Sequence, residues 1–122
     1  MKNILYTFAL LICFSCFGQT AEKYNNSGYN KAVAGDYYGA ISDYTKAIEL
    51  KPSDDEAYFR RATAKNNLKD YYGAISDYTK LIELKPNFPN AYYNRGLIKM
   101  NLGDYNGAKA DFNKIIKLNP NI

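Results

Sequence analysis

The chain has 122 residues, enough for one ordinary domain or for a short stack of repeats that share a core. Its net charge of +4 comes from 16 Lys and Arg against 12 Asp and Glu, and the charges are interspersed, so no nucleic-acid-binding arm is indicated. His is absent and the two cysteines, Cys13 and Cys16, lie in the first 16 residues, so the rest of the chain has no Cys/His metal site and no Cys nucleophile.

The N-terminal segment joins a single basic residue, Lys2, to an uncharged apolar run, Ile4–Phe17. As a helix this run spans about 21 Å, which is short of the roughly 30 Å hydrocarbon core of a bilayer. The pattern predicts a signal peptide over residues 1–18, cleaved after Gly18, and therefore an exported protein, periplasmic or secreted. Two alternatives stay open: a lipoprotein acylated at Cys16, and an uncleaved membrane anchor.

A repeated stretch organises the remainder, residues 19–122. Tyr37–Pro52 (YYGAISDYTKAIELKP) returns at Tyr71–Pro86 with one change, and more loosely at Tyr105–Pro120. The interval is 34 residues each time, and a fixed period of this size indicates stacked structural repeats. The three units are Ala21–Asp54, Asp55–Phe88 and Pro89–Ile122.

Each unit is predicted to contain two helices. In the second helix, apolar residues recur at i, i+3, i+4 and i+7, which places them on one helical face. Prolines follow these runs and stop the helices. The first helices are expected near residues 22–34, 55–68 and 89–102, and the second near 37–50, 71–84 and 105–118.

The turn inside each unit has its own signals. An aspartate precedes every second helix as a candidate N-cap: Asp36, Asp70 and Asp104. Gly35 and Gly103 stand before two of these caps, where the first helix ends in a left-handed residue. Lys69 has that place in the middle unit, so its turn should be strained or differently shaped.

Small residues recur where the helices must approach closely, and aromatic residues recur beside them. The positions are Gly28, Ala62 and Gly96; Ala40, Ala74 and Ala108; and Tyr24, Tyr58 and Tyr92. With the prolines and the 34-residue period, the chain resembles the tetratricopeptide repeat family. The resemblance implies an all-α, right-handed superhelical solenoid of three helix–turn–helix repeats, about six antiparallel helices, behind the signal segment.

The resemblance also implies that the first helices line a concave groove for a peptide. The corresponding candidates are Asn25, Tyr29, Phe59, Thr63, Asn66, Asn67, Tyr93, Leu97, Met100 and Asn101. Aromatic side chains offer rigid contact area and amides offer both donors and acceptors to a peptide backbone. The alternative is that Tyr29, Phe59 and Tyr93 only pack along the superhelix.

One branch of the family clamps a partner's terminal carboxylate with Lys and Asn, and this clamp is not reproduced. Asn25 and Tyr29 stand where its first Lys and Asn would be, and Arg60 replaces the next Asn. Asn90 and Asn94 replace its final Lys and Arg.

Charged residues at periodic positions suggest ion pairs between neighbouring repeats. Arg61 with Lys65, and Arg95 with Lys99, are four residues apart and share a helix face. We expect Asp43 to pair with Arg61 or Lys65, and Asp77 with Arg95 or Lys99. The alternative is a stripe of Lys and Arg that binds anions.

The expected function is a protein–protein interaction scaffold with a peptide partner. Self-association through the third repeat, at Ile115, Ile116 and Leu118, and binding of an acidic envelope glycan or lipid are the alternatives. Asp43, Asp77 and Asp111 repeat with the period, and no nucleophile, base and orienting group are expected to converge, so an enzyme is not expected. Nor are a cofactor, a metal or a nucleic-acid partner.

Overall fold

The computed structural model describes residues 20–121, so the predicted signal segment with Cys13 and Cys16, and Ile122, lie outside the described residues. Within this range the chain forms six helices and no strand. They are α1 (residues 20–33), α2 (Tyr37–Leu50), α3 (Asp55–Asn67), α4 (Tyr71–Leu84), α5 (Pro89–Asn101) and α6 (Tyr105–Leu118). The all-α repeat fold is confirmed, and every predicted helix end lies within two residues of the observed one. None of these helices has both the length and the apolar character needed to cross a membrane.

The second helix of each repeat begins at the predicted aspartate cap. Oδ1 of Asp36, Asp70 and Asp104 accepts a hydrogen bond from the backbone N–H three residues on, at 2.9, 3.1 and 2.9 Å. Each bond satisfies a donor that has no partner inside the helix. The first helix α3 is capped in the same way by Asp54, whose Oδ1 accepts from the N–H of Ala57.

The three turns between paired helices have one shape. Gly35 and Gly103 have φ of +83° and +82°, and Lys69 has φ of +62°. The N–H of Lys69 donates to the carbonyl of Asn66 at 2.9 Å, as the N–H of Gly35 does to Ala32 at 3.0 Å. The middle turn therefore has the same geometry as the other two. The strain expected there comes from the positive φ of Lys69, a residue with a Cβ.

Within a repeat, an aromatic ring of the second helix packs onto the backbone of the first. A Cβ added at Gly28 would lie 2.7 Å from Cε1 of Tyr44, and one at Gly96 would lie 2.8 Å from Cε1 of Phe112. The middle repeat holds a fully buried alanine, Ala62, at the same place. Small residues thus let α1 approach α2 and α5 approach α6 closely.

The core continues from one repeat into the next. One buried cluster joins the second and third repeats through Tyr58, Tyr78, Leu81 and Ile98. Another joins the first and second through Ala21, Ala47 and Ala57. Helices α2 and α4 therefore contact the first helix of the following repeat as well as that of their own.

Candidate functional site

The first helices present most of the predicted binding residues on one exposed surface, which we call the groove face. Tyr29 and Tyr93 are each 51% exposed. The exposed members of the set are Tyr29 on α1; Thr63, Asn66 and Asn67 on α3; and Tyr93, Leu97, Met100 and Asn101 on α5. Several of these side chains are large and apolar, a composition found at recognition surfaces.

A pocket of about 280 Å³ opens on this face between α1 and α3, and we call it the aromatic pocket. Its lining is mainly apolar, and its residues are Tyr29, Ala32, Tyr44, Phe59, Arg60 and Thr63. The Arg60 guanidinium lies 4.7 Å from the ring centroid of Tyr29, a cation–π distance that holds both side chains beside the pocket. Burial raises the pKa of the Tyr44 hydroxyl, which nearby Arg60 partly offsets.

Phe59 lies partly in the core. Its ring makes edge contacts with Tyr78 and Phe88, at centroid distances of 5.8 and 5.7 Å. It also lines a second pocket, of about 200 Å³, with Leu81 and Phe88. The packing interpretation therefore holds in part for Phe59, while Tyr29 and Tyr93 remain half exposed.

Two of the predicted polar residues on α3 bond to their own helix. The Thr63 hydroxyl donates to the carbonyl of Phe59 at 3.0 Å and lies 3.1 Å from the Tyr78 hydroxyl. Nδ2 of Asn67 donates to the carbonyl of Thr63 at 2.9 Å. Burial raises the pKa of the Tyr78 hydroxyl, and the hydrogen bond with Thr63 partly offsets this effect.

Asn25 is buried rather than exposed on the groove face. Its side chain donates from Nδ2 to Oδ2 of Asp54 at 2.8 Å, which holds the cap of α3 in place. Asp54 was not identified from the sequence as a cap, although an aspartate three residues before Ala57 and next to acidic Asp55 and Glu56 is a usual helix-start signal.

The predicted ion pairs between repeats are wrong, because each carboxylate pairs inside its own repeat. Asp77 accepts from Nε and Nη2 of Arg61 at 2.8 and 2.7 Å and lies 3.0 Å from Nζ of Lys65. Arg95 and Lys99 contact Asp111 in the same way.

Asp43 follows the same pattern in the first repeat. It accepts from the Ser27 hydroxyl at 2.6 Å and lies 2.9 Å from Nζ of Lys31. Burial raises the pKa of the Asp43 carboxyl, but these two partners outweigh burial and hold the pKa below its ordinary value. The physical reason for the correction is that this face of the second helix turns toward the first helix of the same unit.

One polar link between repeats recurs at both junctions and runs through two threonines. Nη1 of Arg61 donates to Oγ1 of Thr45 at 3.1 Å, and Nη1 of Arg95 donates to Oγ1 of Thr79 at 3.1 Å. The sequence contains a signal for this link. Thr45 and Thr79 occupy equivalent positions in the first two units, and each is followed by a unit that contains the arginine; the equivalent residue of the third unit is Asn113.

These contacts leave little free positive charge along the predicted Lys/Arg stripe. Hydrogen bonding to Asp77 raises the pKa of Arg61, and its side chain is largely buried. Within residues 20–121, no His, Cys, Asp and Glu side chains gather in groups of three or more that could hold a metal ion. The groove face therefore offers large apolar side chains on α1 and α5, and hydroxyl and amide groups on α3 between them.

Comparisons with known proteins agree with this architecture. Sequence profiles described as tetratricopeptide repeat match residues 23–54 and 89–122, and a profile described as TPR repeat matches residues 63–103. The first TPR of Spaghetti (RPAP3), solved bound to the HSP90 peptide SRMEEVD, is 30% identical with a TM-score of 0.80, over 86% of this chain and 83% of that one.

Two further solved structures are similar. The second TPR of the same protein, also bound to the HSP90 peptide SRMEEVD, is 30% identical with a TM-score of 0.78, over 83% of this chain and 94% of that one. The Arabidopsis OM64 TPR domain is 27% identical with a TM-score of 0.80, over 87% of this chain and 88% of that one.

Proposed function

The chain belongs to the tetratricopeptide repeat family of protein–protein interaction modules, and on that premise we propose that it binds a peptide segment of a partner protein on its groove face. The observation that carries the proposal is the aromatic pocket between α1 and α3, continued by the exposed apolar residues of α5. Two similar domains bound to a short peptide support it. Binding, rather than catalysis, is the role proposed.

The test is affinity capture from an extract of the source cell, with the full chain as bait. The bait variant is Tyr29→Ala with Tyr93→Ala, because both side chains are half exposed, and circular dichroism checks that the variant stays folded, since the Tyr93 ring also contacts Phe112. Phe59 is left unchanged since its ring contacts Tyr78 and Phe88. We expect the variant to lose the partner by at least about tenfold.

A matched control comes from the even-numbered helices. Tyr38 and Tyr72 are 77% and 76% exposed and line none of the described pockets, so Tyr38→Ala with Tyr72→Ala removes the same side-chain type from another surface. The control should keep the partner. A partner held equally by all three baits would contradict recognition on the groove face.

Export of the protein is part of the proposal and rests on residues 1–18. Cell fractionation should recover the chain outside the cytoplasm, without the segment before Gln19. A Cys16→Ser variant tests lipidation: unchanged release into the soluble fraction supports plain secretion. Recovery of the uncleaved chain in the cytoplasm would contradict export.

Self-association is a second candidate, favoured by one observation on α6. Tyr105 and Ile116 are 69% and 56% exposed, whereas their counterparts Tyr71 and Ile82 are partly buried against the cluster that joins the second and third repeats. Under this candidate the full chain sediments as a concentration-dependent oligomer and Ile116→Glu returns it to a monomer. A monomer at all concentrations would contradict it.

A further inference from the structure

A second kind of pocket adjoins the groove face where α1 meets the start of α3, and we call it the acidic pocket. Its volume is about 240 Å³, and it is lined by Glu22, Asn25, Lys51, Asp54, Asp55 and Glu56. Four carboxylates against one ammonium give this lining a formal charge of −3, although the whole chain is positive. Such a local field attracts a cationic group and repels a carboxylate.

An unpartnered buried atom in the same lining points to a missing donor. Asn25 is only 4% exposed, and its Oδ1 has no hydrogen-bond partner. The orientation of the amide is determined by Asp54, because Nδ2 must donate to the carboxylate oxygen 2.8 Å away. A buried acceptor is normally satisfied, so a donor brought by a ligand would complete this site.

Two of the four carboxylates in the acidic pocket already form ion pairs. Asp55 pairs with Lys85 at 2.9 Å, which lowers the pKa of the Asp55 carboxyl, and Glu56 pairs with Arg60 at 2.5 Å. Glu22 makes no ion pair with any residue in 20–121. Glu22 and Oδ1 of Asn25 are therefore the acceptors that remain in this lining, and Asp54 adds its negative charge beside them, although each of its oxygens already accepts one hydrogen bond. This set suits one monovalent group with several N–H donors.

We propose that the acidic pocket takes a lysine or arginine side chain of the peptide that lies on the groove face. This inference rests on the proposed function and names the chemistry of the partner. The ligand group proposed for this pocket is therefore opposite in charge to a terminal carboxylate. A carboxylate would need cationic side chains here, whereas Asn25 is surrounded mainly by acidic residues.

The pockets lie in sequence along α3, which sets the spacing of the ligand. Asp55 and Glu56 line both the acidic pocket and the 200 Å³ pocket, and Phe59 lines both that pocket and the aromatic pocket. From Glu56 to Thr63 the helix rises about 10 Å, at roughly 1.5 Å per residue. An extended peptide covers this in about three residues, so the basic side chain lies two to three positions from an aromatic or large aliphatic one.

The test begins with a library of random twelve-residue peptides selected on the full chain and, in parallel, on the Tyr29→Ala/Tyr93→Ala variant. Enriched peptides that share a Lys or Arg two to three positions from a large apolar residue support the inference. Peptides that depend on the two tyrosines but share no basic residue overturn it and leave the proposed function standing. No enrichment, or equal enrichment on the variant, overturns both.

A second measurement locates the basic residue. The strongest peptide and a copy with norleucine in place of its Lys or Arg are titrated against the chain, Glu22→Gln and the exposed control Glu49→Gln. The norleucine change should weaken binding at least tenfold on the parent and on Glu49→Gln, but threefold or less on Glu22→Gln, because Glu22 is the lining carboxylate that no residue in 20–121 already pairs with. An equal loss on all three proteins would place the cation elsewhere and overturn the inference.

Discussion

Lys69 has a positive φ, a backbone conformation that a residue with a Cβ rarely adopts. The two equivalent turns use glycine at positive φ, and a Cβ at Gly35 or Gly103 would meet nothing within 4 Å. The cost at Lys69 is therefore conformational rather than a clash.

We predict that Lys69→Gly stabilises the protein by about 0.5 to 1 kcal/mol, because glycine adopts the left-handed region without the Cβ penalty. The opposite change, Gly103→Ala, should destabilise it by about 1 kcal/mol. Urea unfolding followed by far-UV circular dichroism measures both. A Lys69→Gly variant that is less stable than the parent would show that the side chain has a contact that outweighs the strain.

A pH dependence follows from Asp43. Its folded pKa lies below the ordinary value of 3.8, so its contribution to stability is present above that pH and is lost as the pH falls through the folded pKa. We predict that Asp43→Asn is less stable than the parent at pH 7 by about 1 to 3 kcal/mol, and that the gap closes in acid. Urea midpoints between pH 7 and pH 2 give this curve, with Glu49→Gln as the exposed control. A gap that stays constant with pH would contradict the assignment.

Between helices, a threonine hydroxyl ties one repeat to the next at both junctions. Thr45 accepts from an arginine that is already bound bidentately to Asp77, so the guanidinium cannot turn away to another acceptor. The hydroxyl itself donates to the carbonyl of Ile41, which fixes its orientation. A single neutral side chain thus joins α2 to the ion pair of the following repeat.

We predict that Thr45→Val costs about 1 kcal/mol and acts mainly on the first repeat, since one hydrogen bond from a charged donor is lost. Amide hydrogen exchange should become faster in α1 and α2 than in α3 to α6. Thr45→Ser keeps the hydroxyl and should behave as the parent. Uniform acceleration over all helices would mean that this bond does not couple the repeats.

Local signals explain why the helices could be predicted and the ion pairs could not. Proline stops, aspartate caps and aromatic periodicity act within a few residues, so the 34-residue period located all three helix pairs. The partner of Asp77 depends on which neighbouring helix its face meets, and adjacent units offer the same Arg/Lys pair at the same spacing. The 34-residue period alone therefore does not show which of the two Arg/Lys pairs Asp77 contacts.

The candidate site likewise contains residues whose placement could be predicted and residues whose placement could not. Exposure of Tyr29, Tyr93 and Leu97 was expected from the family resemblance, and all three are exposed, although Tyr29 contacts Arg60 of α3 and Tyr93 contacts Phe112 of α6. Asn25 is buried by a hydrogen bond to the cap of the next repeat, and Phe59 is held by Phe88, 29 residues away. Both are tertiary contacts that no local pattern contains.

At the scale of the whole molecule, stability depends on neighbours rather than on one central core. Leu81 is almost fully buried at the junction of the second and third repeats. Ile116 is exposed on α6, although it is also a large aliphatic residue.

We predict that Leu81→Ala lowers the free energy of unfolding by about 2 to 5 kcal/mol and that Ile116→Ala changes it by less than about 0.5 kcal/mol. Exchange of the α5 and α6 amides should accelerate most in the first variant, since the third repeat loses its junction with the second. Similar costs for both variants would indicate that α6 is covered in solution.

The threonine–arginine link also bears on how such a chain can grow. The middle repeat, Asp55–Phe88, carries the arginine that reaches back, Arg61, and the threonine that the next arginine reaches, Thr79. A tandem copy of this unit would present Arg61 of one copy to Thr79 of the other with the spacing already used at both existing junctions. Gene duplication of this segment would therefore keep the threonine–arginine bond at the new junction, and each added copy would extend the groove face by one further first helix.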